Sequence, residues 1–144
     1  DRDRYVRYPS SWGKIVETFD KLLALPNVYI QVHCTVQVLN MCAMSELFDW
    51  TRSKGIPDKD IYLNILNHPE MYNIRSLPKE LKQLAEQNLQ PYLDIPKVAD
   101  CIKYMWSEDW YEKRWKEFVD FNTKTDDLQK GNLLDVAPEF KPYV

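Results

Sequence analysis

The sequence predicts an α/β chain in two parts, a βαβ unit within residues 1–77 and a helical extension over residues 78–144. Three observations carry this expectation. Residues 28–38 and 61–66 alternate apolar and polar side chains with the period of a strand. The segment between them repeats its apolar residues at helical spacing. Beyond Pro78 the apolar stripes are helical, with Pro91 and Pro96 as punctuation.

Taken in order, the first element is a helix. Ser10 and Ser11 stand where an N-cap belongs, and Trp12, Ile15, Val16, Phe19, Leu22 and Leu23 make one apolar stripe before Pro26 and Asn27 end it. In the strand expected over 28–38, Val28, Ile30, Val32, Cys34, Val36 and Val38 face one side, and Tyr29, Gln31, His33, Thr35 and Gln37 the other. Asn40 is placed to cap a second helix running to Lys54, with Met44, Leu47 and Phe48 inside, Met41 and Thr51 in line, and Gly55 as its stop. A second strand over 61–66 sets Ile61, Leu63 and Ile65 against Tyr62, Asn64 and Leu66.

Strand, helix and strand joined by short loops form a parallel, right-handed βαβ unit. Two parallel strands do not make a stable sheet, and parallel sheets need cover on both faces. The strands therefore call for partners that the chain does not supply. The alternative is a helical domain with a small sheet at its edge.

Residues 67–77 form a long loop, a length that often carries function. Pro78 suits a first helical turn, followed by Leu81, Leu84, Ala85 and Leu89. Val98, Ile102 and Met105 mark the next helix. Ser107 is expected to cap a third, striped with Tyr111, Trp115, Phe118, Val119 and Asn122. The tail after Thr123 is polar, with one last short helix within 132–140 carrying Leu133, Leu134 and Val136.

Composition narrows the function. Of 144 residues, 44% are hydrophobic and 13% aromatic, an ordinary globular profile rich in Trp and Tyr. Lys and Arg total 19 against 22 Asp and Glu, for a net charge of -3, which gives no case for nucleic acid or an anionic membrane. No apolar run approaches the roughly 20 residues needed to cross a bilayer. The aromatic cluster Tyr104, Trp106, Trp110, Tyr111 and Trp115 is interleaved with both charge signs at helical spacing, which favours packing over base stacking. Cys34, Cys42 and Cys101 are too few and too widely spaced for a disulfide framework, and free thiols fit a reducing cytoplasm. No CxxC or CxxxCxxC occurs. His33 and His68 have no third ligand at metal-binding spacing, and three glycines exclude a Gly-rich phosphate cradle. The opening Asp1-Arg2-Asp3-Arg4, without Met, reads as a fragment's start.

The most informative feature is the polar row Gln31, His33, Thr35 and Gln37, joined by Asn64 if the strands pair in register. Polar side chains pointing into a barrel are costly unless ligand or water meets them. One reading is the wall of a ligand pocket near the strand C-termini. The other is a polar face meeting solvent. Periodicity does not choose between them.

Several phrases together resemble one family. Tyr5-Val6-Arg7-Tyr8-Pro9-Ser10-Ser11-Trp12 resembles the YxRxxxxW segment after the fourth barrel strand of twitch-domain radical S-adenosylmethionine (SAM) proteins. Thr35-Val36-Gln37-Val38-Leu39-Asn40 resembles their next strand and its Asn-capped helix. Leu63-Asn64-Ile65-Leu66-Asn67-His68-Pro69-Glu70-Met71-Tyr72-Asn73-Ile74-Arg75-Ser76-Leu77-Pro78 resembles their final barrel strand, Pro-containing loop and Leu-Pro helix start. Asn132-Leu133-Leu134-Asp135-Val136-Ala137-Pro138-Glu139-Phe140 resembles their closing segment.

The resemblance implies that residues 1–77 are the C-terminal portion of a partial (βα)6 barrel and residues 78–144 its helical extension. It implies an intact parent in which a [4Fe-4S] cluster and SAM support reductive cleavage and 5'-deoxyadenosyl radical chemistry on an unknown substrate. This chain has none of the cluster cysteines, so alone it is expected to be inactive and to bind neither cofactor, its partner being the N-terminal half of the barrel. The resemblance places Thr35, Gln37, Asn40 and Asn64 near SAM, with Arg7 pairing a carboxylate and His33 a weaker candidate. Two other functions compete: a non-catalytic half-barrel that docks on a partner, and a small helical binding domain.

Overall fold

A computed structural model describes residues 2–144. It is a small mixed α/β arrangement, one open two-stranded sheet with helices packed mainly on one face. Helix α1 (Arg2–Val6) leads to α2 (Trp12–Leu23), β1 (Val32–Val36), α3 (Val38–Met41) and α4 (Met44–Ser53). Strand β2 (Ile61–Ile65) follows, then two 3-10 turns at Glu70–Tyr72 and Ile74–Ser76. Helices α5 (Lys79–Leu89), α6 (Val98–Ser107), α7 (Tyr111–Gln129) and α8 (Leu133–Val136), with a 3-10 stretch at Pro138–Tyr143, complete the chain.

The strands pair in parallel, Val32 opposite Ile61 through Val36 opposite Ile65. Val36, Ile61 and Leu63 are buried, and Val32, Cys34 and Ile65 are partly buried against the same core. His33, Thr35, Tyr62 and Asn64 stand on the opposite, exposed face. This is the alternation read from the sequence.

β1 is shorter than the 28–38 expected. Asn27 turns left-handed at φ 65°, and β2 offers a ladder only across 32–36, so the alternation outside that window has nothing to bond to. Val38 instead enters α3. The helix expected over 41–54 is two helices broken at Cys42 and Ala43. Asn40 is not the cap. Gln37 is, and Asn40 closes a capping box with it from the third helical position. Pro78 stands just ahead of α5 in extended conformation rather than inside its first turn. Ser107 ends α6 instead of capping α7, which starts after Trp110. The polar tail past Thr123 remains helical to Gln129, where Lys130 in the left-handed region stops it.

The core is continuous from the sheet into the C-terminal helices. Of the predicted inner stripe of α3 and α4, Met41, Met44, Phe48 and Thr51 are buried, and Leu47 is only half-buried. On α7, Trp115 and Phe118 stack at 4.6 Å, with Phe140 edge-on to both. Each fully buried side chain of this size contributes about 2–3 kcal/mol. α2 differs: none of its residues is buried, and Trp12, Leu22 and Leu23 are exposed. It touches the rest through Trp50, which holds the Trp12 and Phe19 rings at 5.0 and 4.8 Å, and through a Lys54–Asp20 ion pair.

Candidate functional site

Parallel register sets the candidate site. It places His33 beside Tyr62 and Thr35 beside Asn64. The His33 and Tyr62 rings stack at 4.8 Å, 10° from parallel, and Gln31 Nε2 donates to the Tyr62 hydroxyl at 3.1 Å. Tyr29 donates its hydroxyl to the buried Asp60 at the N-terminal end of the same face. The Thr35 hydroxyl and the Asn64 amide hold no hydrogen bond to another side chain among the described residues.

The two remaining amides are already committed. Asn40 Oδ1 accepts from the Gln37 backbone N–H at 2.9 Å, and the Gln37 side chain accepts in return from the backbone at Asn40's position. Asn40 Nδ2 donates to the Thr35 carbonyl at 2.9 Å. These bonds turn the chain sharply from β1 into α3 and hold Thr35 at the strand's end. Gln37 and Asn40 therefore build the site's edge, while Thr35 and Asn64 face outward from it. Arg7 is exposed and makes no ion pair among the described residues. Its charge lies near enough to the Cys34 thiol to oppose slightly the effect of burial there.

The far end of β2 is held by residues that the sequence reading passed over. Asn73 is fully buried; its Nδ2 donates to the Leu66 carbonyl at 2.9 Å and to the Tyr104 hydroxyl at 3.0 Å, and its Oδ1 accepts from the Arg75 N–H at 3.0 Å. Tyr104 in turn donates to Asn67 Oδ1 at 3.1 Å. Arg75 lies over the Tyr104 ring at 3.9 Å and pairs with Glu108 at 2.9 Å. The long loop is thus an ordered strap that ties β2 to α6. Tyr62 was legible in the sequence, since period two puts it on Asn64's face. Asn73 and Tyr104 were not, because nothing local marks a contact between residues so far apart in the chain.

No family model, curated protein or solved structure matches the chain.

The chemistry of the cysteines is settled by burial. Desolvation pushes the Cys34 and Cys101 thiols up to about 11 and Cys42 to about 12, which favours the neutral thiol at each. Among the described residues no group of three or more His, Cys, Asp or Glu side chains is arranged to hold a metal ion. What the site offers is an exposed stacked pair of rings flanked by a hydroxyl and an amide, a surface that can hold a planar polar group. No helix is long and apolar enough to cross a membrane among the described residues.

Proposed function

We propose that this chain is the C-terminal part of a radical SAM enzyme, its two strands the last two of a partial (βα)6 barrel whose interior face carries His33, Thr35, Tyr62 and Asn64. One observation carries the reading: the strands pair in parallel with one face under helices and the other polar and bare. A parallel sheet is normally covered on both faces and wider than two strands. Further strands joining at β1 and closing a cavity over the polar row would meet both needs, and they would also cover the apolar stripe of α2. The ordered resemblance of four segments, from Tyr5 to Phe140, supplies the family.

In this reading the cluster ligands lie in polypeptide outside residues 1–144, and the cluster would supply the electron that cleaves SAM. This chain contributes the cavity wall. Thr35 and Asn64, whose polar groups are unengaged, contact SAM or substrate, while Gln37 and Asn40 shape the turn beside them. The substrate is unassigned.

The test begins with the coding sequence upstream of Asp1, which should contain CxxxCxxC. The whole polypeptide, reconstituted anaerobically with iron and sulfide, should show [4Fe-4S] absorption and a reduced-cluster electron paramagnetic resonance signal, and should release 5'-deoxyadenosine from SAM under reductant. A whole polypeptide without the motif, or one that takes up no cluster, overturns the reading. The exposed Trp12, Leu22 and Leu23 of α2 favour a second function, a non-catalytic half-barrel docked on a separate protein. It would be favoured by a stable complex with such a protein and no cluster in either chain.

A further inference from the structure

We draw no further inference here: the strongest candidate, the cleft of about 360 Å³ between α1 and the α7–α8 connection lined by Arg4, Tyr8, Lys130 and Asp135, carries nothing because side chains of both charge signs line it and no buried side-chain nitrogen or oxygen among the described residues lacks a partner, so nothing in the structure marks a ligand.

Discussion

Replacing Asn73 by alanine tests whether the strap from β2 to α6 is an ordered part of the site. The side chain is 0% exposed and makes three hydrogen bonds, to the Leu66 carbonyl, the Tyr104 hydroxyl and the Arg75 N–H. Tyr104 keeps its bond to Asn67, so its hydroxyl is not orphaned. The Leu66 carbonyl and Arg75 N–H are, at about 1–3 kcal/mol each. The expected loss is about 3 kcal/mol, which leaves a domain of ordinary stability folded. With a urea slope of about 2 kcal/mol/M, the unfolding midpoint should fall by about 1.5 M. Tyr104→Phe should cost about 1 kcal/mol, and the double variant less than the sum, because both remove the same bond. Amide exchange at Ile65 and Leu66 should quicken in Asn73→Ala under native conditions. A midpoint shift below about 0.5 M, or strict additivity with Tyr104→Phe, would refute the argument.

Other consequences concern stability, pH and the attachment of α2. Tyr5 donates to Asp126 at 2.7 Å, and burial followed by that bond raises its pKa well above the ordinary value; burial likewise takes Tyr72 to about 12. Both favour the neutral phenol in the fold, so their stabilisation is complete below about pH 10 and is lost as pH rises beyond it. Tyr5→Phe should flatten that alkaline loss, and parallel curves of unfolding midpoint against pH for the two proteins would contradict it. Lys82 is 2% exposed, and its nearest partners, the Glu108 carbonyl and Asp109, lie at 3.3 and 3.4 Å. Burial lowers its pKa, and Asp109 is itself largely exposed, so Lys82→Met should be neutral or stabilising by about 1 kcal/mol in urea unfolding. A loss above about 1 kcal/mol would show that the ammonium holds the α6–α7 connection. Trp50→Ala removes two ring contacts to α2, about 0.5–1.5 kcal/mol each, so tryptic cleavage at Lys14 and Lys21 should speed by about tenfold while the rest resists. Unchanged cleavage would mean that α2 is held by contacts other than these.

The sequence by itself determined which side of each strand is apolar and where the helical stripes lie. These are periodic signals, local in the chain, and Val36, Leu63, Phe48 and Phe118 occupy the buried positions their spacing implies. Tertiary structure decided the rest. The alternation over 28–38 reads the same throughout, yet only 32–36 finds a ladder, because strand length is set by the partner's length. Gln37 rather than Asn40 became the cap, since either amide can cap a helix and the bend after β1 selects the one whose backbone is extended. The fastening of the long loop by Asn73 and Tyr104 joins residues on separate elements, a contact no local pattern encodes. The stripe of α2 shows the converse: amphipathic spacing states that a face seeks apolar cover, and only the surrounding chain determines whether it receives any.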